Sequence, residues 1–106
     1  MELSKAIREG IKKVPIQCYG AYFGVDPESA CVLGTAVIGA LGSRPMTPIT
    51  SALKSCFQRA SDSDENLICP AGCGAKCFPV TMGYHLNDDH TWSRERIADW
   101  YASNGF

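Results

Sequence analysis

Long apolar runs are missing from this chain. The longest, Ala30 to Gly42, is interrupted by Thr35 and is too short to span a bilayer as a helix. A charge excess is missing too. Ten basic side chains against eleven acidic ones leave a net charge of −1, so no strong field demands nucleic acid or anionic lipid as a partner. The first residues, Met1-Glu2-Leu3-Ser4-Lys5, lack the apolar core of a secretory signal. The expected compartment is therefore the cytoplasm, where thiols stay reduced and a disulfide framework is disfavoured. No internal repeat or low-complexity segment is present, which excludes a solenoid or a disordered tract.

The 106 residues, 45% of them apolar, suffice for one ordinary domain with a real core. Charge divides the chain into three parts. Residues 1–60 carry seven basic and four acidic side chains, residues 61–68 add Asp62, Asp64 and Glu65, and residues 69–106 come to −1. The expectation is a mainly α domain of three to four helices. It comprises a helical body (1–60), an acidic loop (61–68) and a Cys/His tail with a C-terminal helix (69–106).

The helices follow from apolar periodicity. Leu3, Ala6, Ile7, Ile11 and Val14 define a short amphipathic helix that Pro15 ends. Ile16 to Val25, aromatic and glycine-punctuated, reads as an irregular packed connection. Asp26-Pro27-Glu28 has the chemistry of a helix start. A buried central helix is expected from there to Leu41, with Gly42 as its stop. Its small residues, including Gly34 and Gly39, suit close approach by another helix. Thr47-Pro48 opens a third helix, with an unbroken stripe from Ile49 through Ala52, Leu53, Cys56 and Phe57 to Ala60. A last helix is expected from about Thr91 to Ser103. Trp92, Trp100 and Tyr101 would anchor it, and Gly105 would follow it. Arg94 and Arg96 read as solvent-facing charges.

The tail holds the chemistry. Three of six cysteines and both histidines lie beyond residue 68: Cys69-Pro-Ala-Gly-Cys73-Gly-Ala-Lys-Cys77, then His85 and His90. Thiolate and imidazole are the ligands of a tetrahedral zinc site. Cys69, Cys73, His85 and His90 form the expected Zn2+ set, with Cys77 as a reserve ligand in place of one histidine. Proline after the first cysteine stiffens the turn, and glycine after the second admits positive φ. Cys18, Cys31 and Cys56 fall on apolar surfaces and read as core residues.

Two resemblances follow from these residues. Cys69-Pro-Ala-Gly-Cys73-Gly resembles a zinc knuckle with one extra residue, and the Cys-x3-Cys-x11-His-x4-His spacing resembles that of two-Cys two-His fingers. The histidines are nevertheless expected in a turn ahead of the last helix, after an extended segment from Phe78 to Met82, unlike a finger. The run from His85 to Trp100 resembles the C-terminal H-L-N-D-x-H-x-W-x-R-x-x-I-A-x-W signature of small phage and prophage proteins. That resemblance implies a phage-derived protein in a bacterial cytoplasm and brings no activity with it. Ser93 to Trp100 also resembles the first helix of a helix-turn-helix, but no recognition helix follows within these residues.

The functional expectation is a small binding or regulatory module whose tail is organised by a structural zinc, with no catalytic residues. A protein partner or self-association is expected, rather than nucleic acid or membrane. The alternative is a metal-free interaction protein that associates through the glycine-rich helix and the Tyr19–Phe23 segment. A third possibility is an enzyme, with Asp88 or Asp89 as base at an open zinc, or Cys77 as nucleophile beside His85.

Overall fold

The computed structural model describes residues 1–106. It is mainly α, with six helices and two two-stranded sheets. Helix α1 (Leu3–Lys13) buries Leu3, Ala6, Ile7 and Gly10 and ends ahead of Pro15, as its pattern requires. Helix α2 (Val32–Leu41) is buried continuously from Val32 to Ile38, and it stops at Gly42, whose φ is 91°. The two helices cross where their side chains are smallest. A Cβ on Gly39 would collide with the Ala6 carbonyl, and one on Gly10 with the Thr35 carbonyl. The expected close approach to α2 is thus made by α1 of the same chain.

Asp26-Pro27-Glu28 does not open α2. The Asp26 side chain accepts from the Glu28 N–H at 2.8 Å, and the Asp26 carbonyl accepts from the Ser29 N–H at 3.1 Å. An Asx turn uses the same residues as a helix cap, so the two are alike in sequence. The chain then runs extended. Strand β1 (Ile16–Gln17) pairs in parallel with β2 (Ser29–Ala30), Ile16 opposite Ser29 and Gln17 opposite Ala30.

The expected third helix is broken in two. Helix α3 (Ile49–Cys56) and helix α4 (Gln58–Asp62) meet at Phe57, where φ is −130° and ψ is 54°. The break turns the Phe57 ring into the core. The polar link is shorter than expected, since α4 reaches Asp62 and strand β3 (Leu67–Ile68) begins near its end.

The tail departs most from expectation. Strand β3 pairs antiparallel with β4 (Lys76–Cys77), Leu67 opposite Cys77. Phe78 to Met82 is not an extended segment, because helix α5 runs from Pro79 to Asp88 and carries His85. Pro79 at the first helical position is compatible with a helix, while Gly83 reads as a breaker. Gly83 is there because the Tyr101 ring lies against it, and the Tyr101 hydroxyl donates to the Pro79 carbonyl at 2.6 Å. Helix α6 (Arg94–Ser103) starts later than Thr91, capped by the Ser93 hydroxyl on the Arg96 N–H. Gly105 follows it with φ 83°.

Arg94 is a second correction. It is buried, not solvent-facing, and it closes the body onto the tail. Its guanidinium donates to the Val14 carbonyl (2.6 Å), the Pro15 carbonyl (2.7 Å) and the Thr35 hydroxyl (2.9 Å). Arg96 is exposed and stacks over Trp92. Tyr101 is fully buried, and Trp92 and Trp100 pack at the core's edge.

Candidate metal centre

The β3–β4 hairpin and helix α5 bring Cys69, Cys73, His85 and His90 together. One ligand-type atom from each lies within 4.8 Å of all the others, and these four could hold a metal ion. Cys69 follows β3 directly. Its N–H donates to the Ala75 carbonyl at 2.8 Å, and its own carbonyl accepts from the Gly72 N–H at 3.2 Å. Gly72 and Gly74 take positive φ of 81° and 83°, a conformation costly for other residues. Cys73 therefore stands between two left-handed glycines at the tip of the turn. Cys69 is buried and Cys73 exposed, so the cluster lies at the surface with one sulfur beneath it.

His85 stands on the last turns of α5, and His90 on the connection to α6. The imidazoles meet edge to face, with 85° between their planes, and their Nε2 atoms are 3.1 Å apart. The Cys73 Sγ lies 3.3 Å from the same His85 Nε2. A tetrahedral zinc with bonds of about 2.3 Å to sulfur and 2.0 Å to nitrogen has edges of roughly 3.3 Å (N···N) and 3.5 Å (S···N). Both contacts are within a few tenths of an ångström of those edges.

His85 has a second partner. Its Nδ1 lies 2.8 Å from the Asp89 carboxylate, one helical turn on. A carboxylate on Nδ1 keeps the proton there and leaves the Nε2 lone pair facing the cluster, the usual outer support of a metal-bound histidine. The Cys73 contact and, next, the Asp89 carboxylate push the His85 imidazole up, against the opposing effect of burial. Donation from the Ala75 N–H, followed by contacts with His85 and His90, lowers the Cys73 thiol to about 6. Burial raises the Cys69 thiol.

Cys77 is not in the cluster. It stands opposite Leu67 in the hairpin, half-buried against the core. Cys31 belongs to the core, and burial pushes its thiol up to about 11; Cys18 and Cys56 pack at the core's margin. Asp88 holds backbone rather than facing the cluster, accepting from the Gly20 N–H at 3.1 Å and from Asn87 at 2.7 Å.

Two residues of the site's support were absent from the sequence expectations. The sequence alone offers Asp89 only as a base at an open zinc, not as a partner of His85. The His85–Asp89 spacing of four becomes a signal only when Pro79–Asp88 is read as helical. Asn87 is fully buried, and its side chain makes four hydrogen bonds. Its oxygen accepts from the Val32 N–H (3.0 Å) and from Gln17 (2.8 Å), while its nitrogen donates to the Cys18 carbonyl (3.1 Å) and to Asp88. It thereby caps α2 from α5, the helix that carries His85.

Hairpin thiols followed by imidazoles at a helix end reproduce the ligand order of a two-Cys two-His finger inside a larger helical domain. No protein-family model matches the chain, and comparison with curated proteins and with solved structures finds no match. No helix is long and apolar enough to cross a membrane.

Proposed function

We propose that Cys69, Cys73, His85 and His90 hold a structural Zn2+, and that the protein is a small binding or regulatory module whose tail this ion locks to the helical body. The observation that carries the reading is the convergence of two sulfurs and two Nε2 atoms within 4.8 Å, with Asp89 orienting His85. Bound there, zinc supplies a crosslink between hairpin and helix rather than a Lewis acid. Four protein ligands fill a tetrahedron and leave no position for a substrate water. That supports a role without catalysis.

The finger-like order does not extend to base reading. Counting Pro79 as the first helical residue, the positions from which a finger reads bases are Phe78, Thr81 and Tyr84. None is a cation, and Tyr84 is stacked edge-on against Tyr22. A protein partner fits this surface better than DNA. The glycine face of α2 is taken up by α1 and by the Tyr22 carbonyl, which weighs against self-association through that helix. The ligand chemistry suits a reducing compartment such as the bacterial cytoplasm of the phage-type proteins that the tail resembles.

The test is the metal content of protein purified without chelator and with its thiols reduced. About one zinc per chain is expected. Metal-free protein that is fully folded contradicts the reading.

A further inference from the structure

Cys73 is the one exposed thiol among six cysteines, and it sits at the rim of the cluster. Its neighbour Cys69 is buried just beneath, within 4.8 Å, and only Pro70, Ala71 and Gly72 separate the two along an exposed turn. Positive-φ glycines on either side of Cys73 let that turn tighten. The other four thiols are less accessible: Cys31 is buried, and Cys18, Cys56 and Cys77 are half-buried. A small oxidant therefore meets Cys73 first, with a second sulfur already in place to resolve the product.

We propose that the Cys69–Cys73 pair is a peroxide-sensitive release switch for the metal, an inference that rests on the structural-zinc reading. The Cys73 thiolate attacks a hydroperoxide oxygen. An S–O bond forms, the O–O bond breaks, and hydroxide or alkoxide leaves with a proton from water. The Cys69 thiolate then attacks the Cys73 sulfur. The S–S bond forms and the S–O bond breaks, and the departing hydroxide takes up a second proton. The two thiolates lose two electrons in all, and the peroxide gains them. A disulfide offers zinc no anionic sulfur, so the ion keeps only two imidazoles and leaves. The hairpin and α5 then lose their crosslink, and the surface that the tail builds is loosened.

The experiment uses the full-length, zinc-loaded protein, with zinc content measured first. Hydrogen peroxide is added in the presence of a chromogenic zinc chelator, and the disulfides are mapped by peptide mass spectrometry. The expected result is about one equivalent of zinc released per Cys69–Cys73 disulfide, reversed by dithiothreitol and added zinc. A Cys77→Ser variant, which leaves all four ligands in place, should release zinc at the wild-type rate. Zinc retained while Cys56 or Cys77 is oxidised overturns the switch and leaves the structural-zinc reading standing. Release accompanied by a disulfide in another pair also overturns it. Protein without zinc before peroxide is added overturns the structural-zinc reading and the switch with it.

Discussion

Three buried polar side chains tie the helices of this protein to one another through hydrogen bonds. Asn87 ties α5 to the start of α2, Arg94 ties α6 to the end of α1, and Tyr101 ties α6 to the start of α5. No buried side-chain nitrogen or oxygen lacks a partner. Replacing Arg94 by methionine leaves the Val14 and Pro15 carbonyls without their donor, at about 1–3 kcal/mol each where water cannot reach, while the Thr35 hydroxyl keeps its bond to the Cys31 carbonyl at 2.7 Å. Removing a desolvated charge offsets part of this. A net loss of roughly 2–4 kcal/mol in urea unfolding is expected. Tyr101 contributes to the loss of stability in alkali. Burial raises its phenol above the ordinary value of 10.0. The unfolded chain releases that proton first, so the contribution is complete below about pH 10 and is lost as pH rises above it. Stability should fall there by about 1.4 kcal/mol per pH unit from this group, and Tyr101→Phe should flatten the slope. Neither Asn87 nor Arg94 was legible as a core residue. Both belong to types that are mostly exposed, and only the tertiary partners reveal their place.

At the scale of elements, the pattern was legible where one signal dominates. Helix α1 has a clear apolar face and a proline two residues past its end, and α2 is apolar but for Thr35 and stops at a glycine. Ambiguous signals misled. Asp26-Pro27-Glu28 fits a turn as well as a cap, Phe57 sits on the helical stripe yet marks the break, and Gly83 argues against a helix that tertiary packing enforces. The α1–α2 contact gives the sharpest test. Alanine at Gly39 would gain about 1 kcal/mol in helix propensity. The clash with the Ala6 carbonyl should outweigh that gain, because backbone cannot yield as a side chain can. Gly39→Ala should therefore destabilise by about 1–3 kcal/mol in denaturant unfolding, while Gly72→Ala should be felt mainly through its positive φ.

At the scale of the whole molecule, the convergence of Cys69, Cys73, His85 and His90 was legible from residue type and spacing, whereas their support was not. The site was expected to gather from a knuckle and a turn. His90 does lie in the turn after α5, but His85 stands on α5 itself, which also carries Asn87, the cap of the central helix. A metal held by these residues would therefore be coupled to the body's fold. A ligand present at about a thousand times its Kd stabilises by about 4 kcal/mol. Chelation should lower Tm by roughly 15 °C or more in a domain of this size. Zinc affinity should fall in acid, because protons compete for the thiolates and for His85, whose imidazole is shifted up. A zinc titration repeated across pH measures this directly. Asp89→Asn should weaken zinc binding by about 10-fold or more, since it removes the charge that holds the proton on Nδ1.

Zinc K-edge X-ray absorption on the protein as purified decides whether Cys69, Cys73, His85 and His90 close around a zinc ion. Two sulfurs at about 2.3 Å and two imidazole nitrogens at about 2.0 Å are expected. A shell with an added water oxygen and fewer than four protein ligands, or with three sulfurs, would contradict the assignment of Cys69, Cys73, His85 and His90.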